Sequence, residues 1–400
     1  MANIQIFAEE YTKVTKGTFL VWLNYIKVKK KKHRISILLN KEHWVNEKYL
    51  KTLINNNIAF KKLPFLMPST FFKLLLHSIN KIWILRALRF LLGQIINIIT
   101  SPLILIYLII YLYSKKLDAV FCHNGGWPGG ALCRWVIIAA KFSGVRKRVL
   151  IIHSHPSKHS FFLKPLRLLQ AYIIDFFATE IVTVSDSVKQ VLSSKVFKSK
   201  IIKIYNGIHF RSFNNNSNRN ISLNWKPKKI AIGYLGALSF NKGCHILIRA
   251  FKKINLNCEL AFMGPPEKEC LIYLQKQAKL CKNKVSFINF HDDVDYFLSM
   301  IDVLVVPSIA YESFGMVILE AMKHSKPVIC SDFGGMKEVV NNGVTGFVVP
   351  NGDVLGFAQA LRKLIKNKKL RIAMGKAGYK RLTNLFRAEQ MAREYDKIVL

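Results

Sequence analysis

The sequence predicts an α/β chain in two domains. Its 400 residues are enough for two full hydrophobic cores. Short apolar runs of strand length alternate along it with longer helical patterns, the signature of parallel sheets with crossover helices. A polar, Asn-rich stretch, Arg211 to Lys229, carries Pro227 and reads as a linker. Most informative is Pro307 to Glu320, Pro-Ser-Ile-Ala-Tyr-Glu-Ser-Phe-Gly-Met-Val-Ile-Leu-Glu, which follows the apolar strand Val303 to Val306 and ends inside a helix running on through Ala321 and Met322. A strand feeding a polar loop that opens into a helix is the geometry of an anion site, because the first helical turn has unpartnered N–H groups and partial positive charge. Gly315 lets the backbone approach a ligand there. Glu312 and Glu320 bracket the loop. Carboxylates do not help to hold phosphate but accept hydrogen bonds from sugar hydroxyls, so the stretch reads as a pocket for a sugar-bearing nucleotide. Two surface glutamates on an ordinary strand–loop–helix are the competing reading.

In chain order, Ile4 to Ala8 is a short apolar strand, Glu9 to Lys16 a loop, and Gly17 opens an apolar helix over Thr18 to Ile26. The basic run Lys29 to Arg34 closes that helix, where positive charge suits the dipole, and Ile35 to Leu39 is the next strand. This is the opening of a nucleotide-binding type of domain, without the full G-x-G-x-x-G fingerprint. Leu50 to Asn56 reads as helix and Ile58 to Leu66 as strand and exit loop. Between Arg89 and Lys115 there is no charged residue. Gln94, Asn97, Thr100, Ser101 and Pro102 interrupt the first half, and the unbroken part, Leu103 to Tyr113, is too short to span a bilayer. A helix lying on a membrane or packed in the core is expected over 90–114, with Arg86, Arg89, Lys115 and Lys116 suited to an anionic bilayer face. Leu117 to His123 is the next buried strand, Gly125 to Gly130 a loop, Ala131 to Phe142 a helix, and Val149 to Ile152 a strand ending in His153-Ser154-His155-Pro156. Polar side chains just past a parallel strand point to where such sheets bind ligands. A hydrogen-bonded loop histidine is the alternative for each.

Asp175 to Ser185 resembles a strand that ends in a serine, its helix starting at Asp186 or Ser187 with Ser185 as the cap. After the linker, Ile230 to Leu235 is a strand followed by Gly236-Ala237-Leu238-Ser239-Phe240-Asn241-Lys242-Gly243. A glycine turn with one lysine after a strand is a phosphate cradle. Cys258 to Met263 and Val285 to Phe290 are strands. Asp293-Val294-Asp295 has the form of a metal-binding Asp-x-Asp, but it stands at the start of a short helix, Asp295 to Met300, where Asp is a favoured cap; the metal reading is rejected. Pro327 to Cys330 is a strand, Gly334-Gly335 a turn, and Glu338 sits on a short helix. Asn342 to Pro350 is a turn and strand, Asp353 caps a helix to Ile365, and a last helix covers Ala388 to Val399.

Sixty-one lysines and arginines against 23 acidic residues give a formal charge of +38, which favours anionic partners. No zinc-finger, RNP-like or basic-zipper pattern supports nucleic acid among them. The seven cysteines include no Cys-x-x-Cys pair and no tight Cys/His cluster, so neither zinc nor a disulfide framework is indicated, and reduced cytosolic thiols are expected. Glu9 and Glu10 fall where the apolar core of a signal peptide would lie.

Glu312, Phe314-Gly315 and Glu320-Ala321-Met322, spaced Glu-x7-Glu, resemble the donor-site signature of retaining glycosyltransferases of family 4, which have the GT-B fold. Lys242-Gly243 resembles the family's Lys-Gly, although Ala237 stands where an Arg is usual. Ile204 to Ile208 resembles the turn closing the N-terminal domain, with His209 in place of Asp, and Ser325 occupies a helix-ending Gly position. The likeness is ordered over about 118–400 and weak in the first hundred residues. It implies two Rossmann-like domains facing across a cleft: an acceptor-binding domain over 1–208, a linker over 209–229, a nucleotide-sugar domain over 230–382, and a C-terminal helix over 383–400 crossing back to the first domain. It implies metal-independent transfer, with retention of configuration, from a nucleotide-diphosphate sugar, UDP- or GDP-linked, without a further cofactor. Glu312, His155 and Lys242 are the implied catalytic residues, with His153 the second choice for the histidine. Donor binding falls to Gly17, Ser239, Lys242, Ser313, Phe314, Gly315, Met316, Val317 and Glu320. Charge and family habit suggest a glycan or lipid-linked acceptor of bacterial surface polysaccharide, handled by a cytoplasmic enzyme at the inner face of the plasma membrane. The alternative is a catalytically weakened GT-B-like scaffold, for which Ala237 is the best support.

Overall fold

The computed structural model describes residues 1–8, 16–39, 51, 53–55, 57–64, 83–156, 164–197, 201–210, 229–289 and 293–400. The loop expected before Gly17, part of the helix expected over 50–56, and nearly all of the linker lie outside these residues.

The chain divides into two compact units. The first comprises Met1–Val184, Val188–Ile204 and Ala392–Leu400, and the second Ser185–Ser187 and Tyr205–Met391. Each is built on one parallel sheet, and this is the GT-B type of α/β architecture.

The first unit's sheet has seven strands: β1 (Asn3–Ala8), β2 (Arg34–Leu39), β3 (Ala59–Lys62), β4 (Ala119–Asn124), β5 (Lys147–Ile152), β6 (Glu180–Thr183) and β7 (Ile201–Lys203). Their order is β3-β2-β1-β4-β5-β6-β7, all parallel. Parallel strands are covered on both faces, and β1 and β4 are mostly apolar and buried nearly end to end. The crossover helices are α1 (Lys16–Lys29), α2 (Trp83–Ser114), α3 (Ala131–Phe142), α4 (Lys164–Phe177) and α5 (Asp186–Lys195). α2 runs through Pro102. Its residues Ile104, Leu108 and Leu112 are buried, four apart on one face. Among the described residues no helix is long and apolar enough to cross a membrane.

The second sheet has β8 (Ile230–Leu235), β9 (Cys258–Met263), β10 (Val285–Ile288), β11 (Val303–Val306), β12 (Val328–Ser331) and β13 (Gly346–Val349), ordered β10-β9-β8-β11-β12-β13. Its helices are α6 (Cys244–Lys252), α7 (Lys268–Ala278), α8 (Val294–Met300), α9 (Met316–Lys323), α10 (Met336–Val339), α11 (Val354–Lys366) and α12 (Lys368–Leu385), and α13 (Ala388–Val399) ends the chain. Leu247, Phe251, Leu260, Phe262, Phe357 and Leu361 centre one core under this sheet. α8 begins at Val294 rather than Asp295: the Asp293 side chain accepts from Tyr296 N at 2.9 Å and is the true cap. Asp295 is instead bound by His324 at 2.6 Å and Lys323 at 3.1 Å, and these contacts, led by the His324 bond, hold its carboxyl below the usual range. Both carboxylates of the Asp-x-Asp are therefore engaged within the protein.

Candidate active site

In each sheet the strand order reverses once, between β1 and β4 in the first and between β8 and β11 in the second. The loops leaving the carboxyl ends of strands at such a point diverge and leave a crevice where α/β proteins bind ligands. In the second unit those two loops are Gly236–Gly243 and Pro307–Gly315, the two stretches singled out in the sequence.

The loops are stitched together. The Asn241 carbonyl accepts from Ile309 N at 3.1 Å and Ala310 N at 2.9 Å. Gly243 has φ 71° and caps α6, and a side-chain carbon there would lie 1.8 Å from the Pro307 carbonyl oxygen. Only glycine lets the lysine loop close onto the glutamate loop. Ser239 caps the short turn Phe240–Lys242, its hydroxyl accepting from Lys242 N at 3.3 Å. Ser239 therefore shapes the loop that presents Lys242. Tyr234 donates its buried hydroxyl to the Ala237 carbonyl at 2.7 Å, and burial pushes the phenol pKa up, so it stays protonated. The consequence is that Lys242 Nζ lies 2.5 Å from Glu312 Oε2 across 70 residues of sequence.

Beyond Glu312 the loop is braced from a third side. Gly335 N donates to the Glu312 carbonyl at 2.8 Å, and Gly334, at φ 74°, leaves only 2.1 Å between an added carbon and that same oxygen. Ser313 and Glu320 are half-buried, as are Met316 and Val317 in the first turn of α9, which Gly315 caps at φ 85°. Phe314 is different: its ring is buried against Tyr205 and Phe386, so what it can offer a ligand is backbone. Glu338 is a residue that sequence reasoning noted but gave no role. Its carboxylate accepts from Asp186 N and Ser187 N, each at 2.8 Å, and from the Tyr205 hydroxyl at 3.3 Å. An anion at the first turn of α5 is favoured by the unpaired N–H groups there. Ser187 in turn hydrogen-bonds Tyr311, next to Glu312.

In the first unit Gly17 is the second residue of α1. At the end of β4 the Asn124 side chain accepts from Gly130 N at 2.9 Å and shapes the glycine loop. His153 is buried and stacks on His123 from β4, with His123 Nδ1 2.8 Å from His153 Nε2. One nitrogen must donate and the other accept, so the pair is held by a single proton between two neutral rings. Burial drives both pKa values down, that of His153 to about 4. His155, two residues on, is half-buried, with Nδ1 3.2 Å from the Pro156 carbonyl. His123 was read only as a strand residue. Its partnership follows from the β4–β5 register, which sets His123 beside Ile151, and no spacing in the sequence reveals it. Among the described residues no group of three or more His, Cys, Asp or Glu could hold a metal ion.

Residues 216–381 match the model of the family described as glycosyl transferases group 1. The capsular polysaccharide biosynthesis glycosyltransferase CapM of Staphylococcus aureus is 30% identical over 308 residues, covering 72% of this chain and 78% of CapM. The chain belongs to the group 1 glycosyltransferases. The lipopolysaccharide core biosynthesis glycosyltransferase LpsE of Rhizobium meliloti is 28% identical over 161 residues, 40% of this glycosyltransferase and 47% of LpsE. Among solved structures, Anabaena Alr3699/HepE in complex with UDP superposes with a TM-score of 0.73, at 18% identity, over 99% of this glycosyltransferase and 98% of that chain. That likeness shows the fold.

Proposed function

We propose that this glycosyltransferase is a retaining, metal-independent enzyme of family 4 that moves a sugar from a nucleotide-diphosphate sugar to a glycan or lipid-linked acceptor of bacterial surface polysaccharide. The observation that carries this reading is the Lys242–Glu312 pair at the crevice of the second sheet, beside the first turn of α9. A cation and a helix N-terminus suit the diphosphate, whose negative charge grows as the bond to the anomeric carbon breaks. Glu312 takes hydroxyls of the donor sugar and Glu320 those of the ribose. His155 contacts the sugar, and His153 stays in its neutral pair. The acceptor oxygen bonds the anomeric carbon on the face the diphosphate leaves, its hydroxyl proton passing to the departing diphosphate, and this keeps the configuration. CapM and LpsE support a surface-polysaccharide role, and HepE's complex supports UDP as the nucleotide. The net charge of +38 supports work at an anionic membrane surface, the inner face of the plasma membrane.

Ala237, which carries no charge into the lysine loop, favours one rival, a scaffold that binds donor without turning it over. The deciding experiment is thermal unfolding against nucleoside diphosphates and nucleotide sugars, followed by product analysis in EDTA. A ligand at about a hundred times its Kd stabilises by about 2.7 kcal/mol. The expected result is a shift with one nucleotide class, lost in Lys242→Ala, and a product of unchanged anomeric configuration. Donor binding without turnover would favour the scaffold, and no shift with any nucleotide would sink both.

A further inference from the structure

The outer side of the first unit carries an apolar face that its own core does not use. Along α2, Ile99, Leu103, Ile106 and Ile110 are each more than half exposed. At about 100° per residue they fall on one stripe, directly opposite the buried Ile104, Leu108 and Leu112. On α4, Tyr172 and Phe176 are likewise more than half exposed. The two helices are joined through the end of α3. Ser143 Oγ donates to the Ile109 carbonyl of α2 at 2.9 Å, and exposed Phe142 lies 5.9 Å from Phe177 of α4, ring to ring.

Charge says what covers this face. From Lys48 to Phe177, the stretch that supplies α2, α3 and α4, there are eighteen lysines and arginines and two acidic residues, Asp118 and Asp175. Asp118 is itself paired with Arg146 at 3.0 Å. Lys115 and Lys116 stand exposed at the end of α2, and Lys141 beside Phe142. Tyr111 of α2 lies under Lys61 and Lys115, at 5.0 and 5.6 Å. A second copy of this chain, or any basic partner, would set like charges against one another. An aliphatic stripe on α2, exposed aromatic rings on α4 and lysines at the end of α2 have the make-up of interfacial helices, with apolar side chains entering the acyl boundary and cations meeting headgroup phosphates.

We propose that the α2–α4 face is the surface by which this enzyme docks on an anionic lipid bilayer, with both helices lying along it. The inference gives a location to the membrane partner proposed above and rests on that reading.

The test is co-sedimentation of the full chain with vesicles of phosphatidylcholine alone or with about one-third phosphatidylglycerol. Wild type should bind the anionic vesicles, weaken as salt rises, and bind the neutral ones less. The double variant Leu103→Gln/Ile110→Gln should bind about tenfold more weakly or worse, since two side chains no longer enter the acyl boundary. Its thermal unfolding and its shift with nucleotide should not change. If that variant does not fold, Tyr172→Ser/Phe176→Ser on α4 tests the same face independently. Variants that bind as tightly as wild type overturn the proposal, as does wild type that sediments with neither vesicle. A wild-type dimer that the variants make monomeric, without vesicle binding, assigns the face to a second copy instead. The vesicles hold neither donor nor glycan, so docking is read alone. Binding without transfer would sink the enzymatic reading, and transfer without binding would sink the docking face.

Discussion

Lys242 and Glu312 meet at 2.5 Å with both side chains partly open to solvent. Such a pair contributes only about 0–1 kcal/mol to folding. Its value is positional: the lysine has three donors and uses one on Glu312, which leaves it able to hold a second oxyanion at the same place. Loss of donor binding in Lys242→Ala is therefore readable as a site effect rather than as unfolding. Ser325 shows the opposite balance. It ends α9 where the family pattern has glycine, and it adopts φ 52°, in the left-handed region that costs a non-glycine residue about 1–2 kcal/mol. Its carbonyl leaves only 1.9 Å for a carbon added at Gly375, so the backbone there is held in place from α12. Ser325→Gly relieves the strain and gives back part of the gain as unfolded-chain entropy. The expected outcome is a rise in stability of about 0.5–1 kcal/mol, seen as a higher Tm with unchanged donor binding; a lower Tm would refute the strain argument.

Among the elements, those read most directly from sequence are the ones whose signal is local. Val303–Val306, the Asp353 cap and the last helix at Ala388–Val399 each depend on neighbours within a turn or a strand, and the structure has them in the expected places. Asp293 in place of Asp295 as the α8 cap is a slip of two residues within such a local signal. The face of a helix is harder. The apolarity of 103–113 is plain in the sequence, but which side packs inward is decided by α3, which arrives later in the chain. The histidines are hardest, because β4 and β5 bring His123 to His153 across 30 residues. That pair has a measurable consequence. Both rings are neutral when folded, with pKa values pushed below the ordinary 6.5 by burial, His153 to about 4. Below about 6.5 the unfolded chain binds protons that the folded chain refuses, so stability is fully present above that pH and falls as pH drops towards 4. The slope of unfolding free energy against pH over this window should be positive. In a His153→Gln variant it should flatten, and an equal slope in wild type and variant would show that the pair does not titrate as described.

At the scale of the whole molecule, the two units differ in how the chain composes them. The second is one run of sequence apart from Ser185–Ser187, whereas the first takes in Ala392–Leu400 from the far end. What holds those residues is chemically specific. Tyr395 packs its ring on Tyr25 and Phe121, at 5.6 and 5.5 Å. Asp396 is buried and receives Lys29 Nζ at 2.6 Å, Lys32 Nζ at 3.2 Å and His33 Nε2 at 3.2 Å. Here the basic run that closes α1, which the sequence placed at the dipole of its own helix, also serves as the socket for a carboxylate over 360 residues away. Burial alone would raise the Asp396 pKa, but the bonds from Lys29 and Lys32 outweigh it and bring the carboxyl below its usual value. A depressed carboxylate adds stability above its unfolded pKa, near 3.9, and loses it as pH falls through the folded value, so this contribution disappears in a more acid window than that of the histidines. Asp396→Asn leaves Lys29 buried with a weaker partner, and breaking one side of a buried pair costs about 3–5 kcal/mol at the extreme. Because asparagine keeps one acceptor, a loss of about 2–4 kcal/mol near neutral pH is expected by denaturant unfolding. The difference between wild type and variant should shrink only in acid, as pH falls through the depressed value at which the wild-type carboxylate itself protonates. A variant as stable as wild type at neutral pH would mean that the ring contacts of Tyr395, not the charge cluster, hold the end of the chain to the first unit.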